Sequence, residues 1–286
     1  MLNYLRKLKR FLYANRQDML WSNALNIERF RHEHLTINPK YTAKHLQRYE
    51  FQTCSQNGED GMITEVFRRI GVTNSYFIEF GVERGIENNT VNLLRKGWSG
   101  LWIEGSPEFC ARIKETHADV LTSKRLTVLN SIVDASNVEA LFSTGGVPAA
   151  PDLLSIDIDG NDWYVWRAIS KYQPRVVVVE YNSHFQAEED VVVSYNPTVG
   201  WDGSMYFGAS LAAFDRLARE RGYNLVGCDF TGTNAFFVKS DLLGEHFQAP
   251  FTPAFHWEPC RFFLHRRVGH PSRYGAYTSA AEQLTR

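Results

Sequence analysis

The stretch YFIEFGVERG, residues 76–85, decides the fold, because in it an apolar strand runs directly into a turn with two glycines. Glycine permits a positive φ and lets a ligand approach the backbone, and the helix N-terminus beyond the turn offers free N–H groups. A dinucleotide-binding turn has the spacing G-x-G-x-x-G. Here Gly81 and Gly85 are spaced G-x-x-x-G, with Glu79 before them and Glu83 between them. Acids in such a turn disfavour a pyrophosphate and favour a cationic ligand.

Strands and helices alternate on both sides of this turn. Between residues 59 and 182, five strand–helix alternations with continuous apolar strands predict a parallel sheet covered by helices on both faces. A long stretch without this pattern follows, and the runs 223–229 and 234–239 then predict two strands joined by a short turn. The sequence therefore predicts an α/β fold whose mostly parallel sheet ends in an antiparallel hairpin.

We predict three segments along the chain: an N-terminal helical extension over 1–50, an α/β domain over 51–243, and a C-terminal tail over 244–286 that packs on the domain. Residues 1–17 interleave Arg and Lys with Leu and Phe, which predicts a basic amphipathic helix. Such a helix either docks on a membrane surface or a partner, or caps the body of the protein with its basic face in solvent.

Composition excludes several classes of function. The formal net charge of −1 gives no global field that would recruit nucleic acid or an anionic membrane. No apolar run reaches the roughly 18 residues of a membrane-spanning helix, so we expect no integral membrane contact. The cysteines are widely separated and form no C-x-x-C pair, which favours free thiols and a cytoplasmic location.

Acidic residues follow the fourth predicted strand, in LLSIDIDGNDW, residues 153–163. Asp157, Asp159 and Asn161 fit the first, third and fifth positions of an EF-hand calcium loop, but the sixth position needs glycine and is Asp162, so we reject that interpretation. In a haloacid-dehalogenase-like phosphatase, Asp157 would be the nucleophile and Asp159 the acid/base, although asparagine replaces the threonine of the D-x-D-G-T signature. Alternatively, Asp157 contacts a ligand at the sheet edge while Asp159 and Asp162 cap the next helix.

The next predicted strand ends in residues of similar chemistry. Because the carboxyl ends of parallel strands meet at one edge of a sheet, Glu180 and Asn182 are expected beside Asp157 and Asp159. Carboxylate and amide oxygens from adjacent strands suit Mg²⁺ or another hard divalent cation better than zinc. His184 is the candidate general base because it titrates near neutral pH, and Asp159 takes that role if no metal binds.

Together these motifs resemble a known group of enzymes. E-x-G-x-x-x-G, GWSGLWIEGSP over 97–107, LLSIDIDG and VVVVEYN over 176–182 are similar to class I S-adenosylmethionine-dependent methyltransferases. Within that class the chain is most similar, over roughly residues 50–240, to FkbM-like small-molecule O-methyltransferases. The resemblance implies a Rossmann-like, seven-stranded, mostly parallel sheet with a terminal antiparallel hairpin, here preceded by the N-terminal helical segment.

The resemblance also implies roles for individual residues. An acid at the end of the second strand, about twenty residues after the glycine turn, can accept both ribose hydroxyls. The implied cofactor-binding residues are Glu79, Gly81 and Gly85 at the methionine end, Glu104 at the ribose, Ile132 and Val133 at the adenine, and Asp157 beside the sulfonium and the acceptor.

We therefore expect a methyltransferase that moves a methyl group from S-adenosylmethionine to a hydroxyl of a small molecule or saccharide, assisted by Mg²⁺ or another divalent cation. Its catalytic residues would be Asp157, Asp159 and His184. Aromatic side chains such as Tyr195 and Trp201, in the long loop after the fifth strand, would stack on the acceptor. The alternatives are the phosphatase and a non-catalytic binding protein on the same fold. We expect no nucleic-acid partner, and the sequence is compatible with a homo-oligomer.

Overall fold

The computed structural model describes residues 2–197, 200–261 and 277–284. The chain forms two compact units, Met1–Ala43 and Lys44–Arg286. The first unit contains the predicted N-terminal helix, α1, which spans Leu2–His32 and continues into a π-helical turn over Glu33–Ile37. Within the described ranges, no helix combines the length and the apolar character that crossing a membrane requires.

The strands of the second unit form where the sequence has short apolar, mostly β-branched runs. Alternate side chains of a strand point to opposite faces of the sheet, and continuous apolar runs therefore bury both faces. In chain order the strands are β1 (Tyr76–Phe80), β2 (Ser99–Glu104), β3 (Leu126–Asn130), β4 (Leu153–Ile156), β5 (Val176–Glu180), β6 (Val192–Val193), β7 (Tyr223–Cys228), β8 (Asn234–Lys239) and β9 (Tyr277–Thr278).

Seven of these strands form one sheet, in the order β3-β2-β1-β4-β5-β8-β7. The pairs among β1 to β5 are parallel, whereas β8 runs antiparallel to both β5 and β7. The predicted fold class, a Rossmann-like sheet with a terminal antiparallel hairpin, is therefore confirmed. A second, two-stranded sheet pairs β6 with β9, and the sequence analysis predicted neither of these short strands.

Helices cover both faces of the large sheet. Two of them begin at serine caps: Ser106 Oγ accepts from Phe109 N at 3.3 Å, and Ser210 Oγ accepts from Ala213 N at 3.3 Å. After α1 the helices are α2 (Glu59–Ile70), α3 (Val91–Arg95), α4 (Pro107–Thr116), α5 (Ala118–Thr122), α6 (Val138–Thr144), α7 (Asp162–Ala168), α8 (Leu211–Glu220), α9 (Pro253–His256) and α10 (Ala280–Leu284).

The core consists of one apolar cluster on each face of the sheet. β1 shows the alternation: Ile78 and Phe80 pack into one cluster with Trp163 of α7, and Phe77 packs into the other with Met62 of α2. Full burial of side chains of this size contributes roughly 1.5–3 kcal/mol each. Both clusters therefore hold β1 and β4 firmly at the centre of the sheet, where their ends define the site described below.

A buried acid closes the amino end of the central strands. Asp152, just before β4, is fully buried and accepts hydrogen bonds from the backbone N–H groups of Thr73, Asn74 and Ser75 at 2.7–3.1 Å. It also pairs with Arg175, just before β5, at 2.6 Å. We call Asp152 and these partners the amino-end corner. It fixes where β1, β4 and β5 begin.

Candidate functional site

The carboxyl ends of the strands place one polar residue or glycine per strand on a single row, which we call the polar row. Pairing in the sheet sets Glu104 opposite Asn130 and Glu180 opposite Asn234. The parallel registers of β1, β2, β4 and β5, continued one or two residues beyond the last paired residues, set Gly81 opposite both Glu104 and Asp157. They also set Asp157 opposite Glu180. Residues opposite one another point to the same face of a sheet. Across six strands the row is Asn130, Glu104, Gly81, Asp157, Glu180 and Asn234.

The two predicted glycines are required by contacts within the protein. Gly81 has φ +66°, and a Cβ there would lie 1.9 Å from the carbonyl oxygen of Asp157. Gly85 has φ +68°, and a Cβ there would lie 2.8 Å from the ring of Trp102. Gly81 thus lets the turn after β1 approach the end of β4, which brings two parts of the predicted site together.

Glu79 is engaged with the loop that leads into α3. Its carboxylate accepts hydrogen bonds from Asn88 Nδ2, Asn89 N at 2.8 Å and Thr90 Oγ1 at 2.6 Å. Burial raises the pKa of Glu79, and the hydrogen bonds from Thr90 and Asn88 oppose that rise. Glu79 therefore positions the turn, and its carboxylate is directed at the protein's own loop.

Glu104 is held at the edge of the same turn. Its Oε2 accepts from Glu83 N at 2.8 Å and its Oε1 accepts from Ser106 N at 2.7 Å. Each oxygen of a carboxylate has a second lone pair, so this arrangement fixes the group and leaves it able to accept two hydroxyls. That geometry fits the predicted ribose contact.

The two predicted adenine-flanking residues lie in different environments. Ile132 is 69% exposed beside Gly105, where a Cβ would lie 3.3 Å from the isoleucine side chain. Val133 is buried and belongs to the apolar cluster that contains Phe142. Of this pair, Ile132 alone presents apolar surface at the sheet edge.

Three carboxyl groups meet at the end of β4 and β5, and we call them the acidic trio. Each of Asp157, Asp159 and Glu180 has an oxygen within 4.8 Å of the others. Burial raises the pKa of Asp157 well above its usual range, and the strongest charges acting on it, Asp159 first, are all carboxylates. Burial and the charge of Asp157 likewise raise the pKa of Glu180.

Asp162 shapes the loop that carries Asp159. It is buried at the first position of α7, and its carboxylate accepts from Ile158 N at 2.8 Å and Gly160 N at 2.9 Å. Burial raises its pKa. Inside this turn Asp159 has φ +57° and is exposed. A left-handed backbone conformation at a residue other than glycine costs roughly 1 kcal/mol of folding free energy. Such strain is common at functional sites. Of the two acids proposed as helix caps, Asp162 holds the loop through these two hydrogen bonds.

Asn182 is fully buried and anchors a loop. Its Nδ2 donates to the carbonyl oxygens of Met205 at 2.9 Å and Phe207 at 3.0 Å, and its Oδ1 accepts from His184 N at 3.2 Å. His184 Nδ1 also lies 3.0 Å from the same Oδ1, which requires the tautomer protonated on Nδ1. The structure therefore does not bring the amide oxygen of Asn182 into the acidic trio.

His184 retains the properties of a base. With Nδ1 protonated, Nε2 carries the lone pair that accepts a proton. Burial lowers the pKa of His184, which favours the neutral form of the ring. It lies beside the predicted acceptor loop, edge-on to the ring of Phe207 at 6.4 Å between centroids.

The loop after β5 is tied to the start of α7. Asn161 Nδ2 donates to Asn196 O at 2.8 Å, and Asn161 Oδ1 accepts from Asn196 N at 3.2 Å. The Tyr164 hydroxyl donates to Val193 O at 3.0 Å, and Tyr195 packs on the Tyr164 ring at 5.0 Å between centroids. Tyr195 is 40% exposed and so presents aromatic surface on the same side as the acidic trio's loop.

Two buried residues near the trio were not among the residues assigned a catalytic, cofactor-binding or metal role. Glu59, the first residue of α2, accepts from Asn57 N at 2.8 Å and from Asn234 Nδ2 at 2.7 Å, and its charge acts on Asp157. Asn234 is the polar-row residue of β8. The polar segment SQNGEDG at the start of α2 indicates a role for Glu59 at the site. The sequence does not predict the register that places Asn234 opposite Glu180.

Comparison with known proteins gives structural similarity only. No protein-family model matches the sequence, and no curated protein matches it by sequence. Many solved structures are similar to the chain, and three S-adenosylmethionine-related methyltransferases are given as examples. Their identities and TM-scores are low, so the strand order itself establishes the fold class. They are a TehB-like SAM-dependent methyltransferase from Corynebacterium glutamicum (13% identity, 62% of this chain, 86% of that chain, TM-score 0.36), a SAM-dependent methyltransferase from Thiobacillus denitrificans in complex with S-adenosyl-L-homocysteine (11%, 62%, 68%, 0.38) and the glycopeptide N-methyltransferase MtfA complexed with SAM (12%, 66%, 97%, 0.40).

Proposed function

We propose that the protein transfers a methyl group from S-adenosylmethionine to a hydroxyl of a small molecule or saccharide, as an FkbM-like O-methyltransferase acting in the cytoplasm. The observation that carries this proposal is the polar row. It sets the fixed carboxylate of Glu104 and the acids Asp157 and Glu180 on either side of the close turn at Gly81. In open α/β sheets, ligands bind outside the carboxyl ends of the strands, where this row lies.

The residues at this edge fit the chemistry of the cofactor. S-adenosylmethionine carries a ribose, an adenine and positive charge on its sulfonium and ammonium groups. Glu104 offers acceptors for the ribose hydroxyls, and the exposed Ile132 offers apolar surface for the adenine. Carboxylates around Asp157 favour a cationic group over an anionic one. Asn88 Oδ1, buried next to Glu79, has no hydrogen-bond partner among the described residues and is a further acceptor for the cofactor's donors.

The chemistry is a displacement in which atoms and electrons balance. Bound S-adenosylmethionine supplies an electrophilic methyl: the C–S bond breaks with its electron pair on sulfur, and the C–O bond forms to the acceptor oxygen. The protein must orient the acceptor, exclude water and take the hydroxyl proton. We assign the acceptance of that proton to His184, whose lowered pKa favours the neutral ring, and Asp159 is the second candidate. General base catalysis of this kind contributes roughly 10²–10⁴-fold in rate.

A divalent cation is the second part of the proposal. The acidic trio concentrates carboxylates that repel one another, and Mg²⁺ or a similar ion would offset that repulsion. Bound there, the ion would lower the pKa of an acceptor hydroxyl. The phosphatase alternative gives no role to Glu104 or the exposed Ile132, and therefore we prefer methyl transfer.

Isothermal titration calorimetry with S-adenosylmethionine tests the proposal. Wild-type protein should bind it, and Glu104→Ala should bind at least tenfold more weakly because the ribose contacts are lost, with roughly 1.4 kcal/mol per tenfold change. Glu108→Ala is the matched control, because Glu108 is exposed and pairs with Arg112 on the surface of α4. Absence of binding by the wild type, or equal affinity of Glu104→Ala, would reject methyl transfer at this edge.

A further inference from the structure

The sequence analysis assigned one ligand of the cation site, an amide oxygen, to Asn182. That amide is already used in the fold: its nitrogen donates to the 205–207 loop, and its oxygen accepts from His184. Withdrawing it to bind an ion would leave these buried groups unpaired, at roughly 1–3 kcal/mol each. An amide ligand at this edge would therefore come from another element.

Asn234, at the start of β8, has the properties that Asn182 lacks. It lies directly opposite Glu180 in the antiparallel pair of β5 and β8, and opposite residues share a face of the sheet. Its side chain is 3% exposed, and its Oδ1 has no hydrogen-bond partner in the part of the chain that the structure describes. A buried, unpaired amide oxygen is unfavourable unless a donor or a cation occupies the neighbouring space.

The orientation of this amide is fixed from its other end. Asn234 Nδ2 donates to Glu59 Oε1 at 2.7 Å, and Glu59 is held in turn by Asn57 through N at 2.8 Å and Nδ2 at 2.8 Å. The nitrogen therefore cannot exchange places with the oxygen without losing a hydrogen bond to a buried carboxylate. Through the pairing of Asn234 with Glu180, this chain of contacts is linked to the acidic trio, and the charge of Glu59 acts on Asp157.

We infer that Asn234 Oδ1 completes, with Asp157, Asp159 and Glu180, the ligand set of a divalent cation at the carboxyl ends of β4, β5 and β8. This inference rests on the cation step of the proposed function and deepens it. Three carboxylates and one amide oxygen, without thiolate or imidazole, form a hard donor set. Such a set selects Ca²⁺, Mg²⁺ or Mn²⁺ over Zn²⁺ and Cu²⁺ by ligand chemistry. Glu59 orients Asn234 from outside the ligand set, as residues behind a metal site commonly do.

Calorimetric titration with CaCl₂ and with MgCl₂, in the absence of S-adenosylmethionine, tests the ligand set. Wild-type protein should bind one ion per chain, and Asn234→Ala should weaken that binding at least tenfold. Asn224→Ala is the matched control, because Asn224 pairs with Ser240 at the opposite end of the same hairpin; its affinity should equal that of the wild type. Wild-type affinity in Asn234→Ala overturns the inference, as does absence of binding by the wild type.

Because loss of the Glu59 contact could also unfold Asn234→Ala, a crystal structure of the wild-type protein grown with CaCl₂ gives a second, independent readout. The inference predicts Ca²⁺ with Asn234 Oδ1 at roughly 2.3–2.6 Å, the usual range for oxygen ligands. An ion bound to the trio with Asn234 outside that range overturns it. Ion binding without S-adenosylmethionine binding would reject methyl transfer and leave this ligand set standing, so the two failures are distinguishable.

Discussion

Asp152 and Asp157 flank the same short strand, β4, but their surroundings shift their pKa values in opposite directions. Asp152 lies in the amino-end corner, where hydrogen bonds from Thr73 and Arg175 outweigh burial and hold its pKa below the usual range. Asp157 lies in the acidic trio, where burial and neighbouring carboxylates raise its pKa well above that range. The first acid is satisfied by the fold. The second is placed against its electrostatic preference, which is what a binding site for a positively charged ligand requires.

Removing each acid should therefore have opposite consequences for stability. Asp152→Ala removes the only carboxylate paired with Arg175 in the described part of the chain and the acceptor of several backbone N–H groups. We expect it to lose about 3–5 kcal/mol of unfolding free energy. Asp157→Ala removes a repelled, desolvated carboxyl and should change stability by less than about 1 kcal/mol, or raise it. Urea unfolding at pH 7 measures both. A larger loss for Asp157→Ala than for Asp152→Ala would contradict the comparison.

The contact between the turn after β1 and the end of β4 gives the second prediction. Gly81→Ala places a Cβ 1.9 Å from the Asp157 carbonyl oxygen, so the backbone must shift. We expect a loss of roughly 2–3 kcal/mol, typical of backbone strain combined with overpacking, together with loss of S-adenosylmethionine binding.

Gly97→Ala is its control, because Gly97 also has a positive φ, +93°, but a Cβ there would meet no atom within 4 Å beyond its chain neighbours. It should show only the backbone cost, roughly 1–2 kcal/mol, and unchanged cofactor binding. Equal effects of the two variants would show that the approach of Gly81 to Asp157 has no role in the site.

The pH dependence of stability separates the two ends of β4. The folded-state pKa values of Asp157 and Glu180 are raised, so the native protein keeps protons that the unfolded chain has lost. The free energy of unfolding therefore falls as the pH rises above about 4 toward these folded-state pKa values. The double variant Asp157→Asn with Glu180→Gln should lack this fall, which amounts to roughly 1.4 kcal/mol per unit of raised pKa.

The amino-end corner has the opposite sign. Because the folded pKa of Asp152 is lowered, its contribution is fully present above the unfolded value of about 3.9 and is lost as the pH falls through the folded value. Unfolding curves from pH 3 to 8, with EDTA present, measure both limbs. A stability that rises with pH between 5 and 8 in the wild type alone would contradict the assignment for the acidic trio.

The smallest expected effect concerns the loop beside the trio. Asn161 ties it down through two hydrogen bonds to Asn196, and Asn161→Ala should cost roughly 1 kcal/mol or less because these groups remain accessible to water. Amide hydrogen exchange should rise in residues 194–197 and stay unchanged in the amino-end corner. Faster exchange at Thr73 to Ser75 would show that the two ends are not independent.

The sequence was sufficient for the fold and for part of the site. Apolar strand runs and amphipathic helices predicted the sheet, and the rule that parallel strands end at one edge predicted that Asp157 and Glu180 meet. The position of Asn182 could not be predicted in the same way, because the chain leaves the sheet after Glu180 and the side chain turns toward the 205–207 loop.

Register and burial account for the remaining differences. Asn234 was not predicted as a site residue, since the pairing of an antiparallel strand depends on turn geometry that local patterns do not fix. Ile132 and Val133 are adjacent in sequence, and consecutive residues of an extended segment point to opposite sides, so only one of them could face the site. The carboxylate of Glu79 accepts hydrogen bonds from the loop that follows β1, and the motif alone does not show these contacts.

A crystal structure of the wild-type protein with S-adenosylhomocysteine tests most directly whether the polar row is a cofactor site. The proposal predicts ribose hydroxyls within hydrogen-bonding distance of Glu104, the adenine against Ile132 and the sulfur facing Asp157 and Glu180. S-adenosylhomocysteine bound away from the carboxyl ends of β1, β2 and β4 would contradict it.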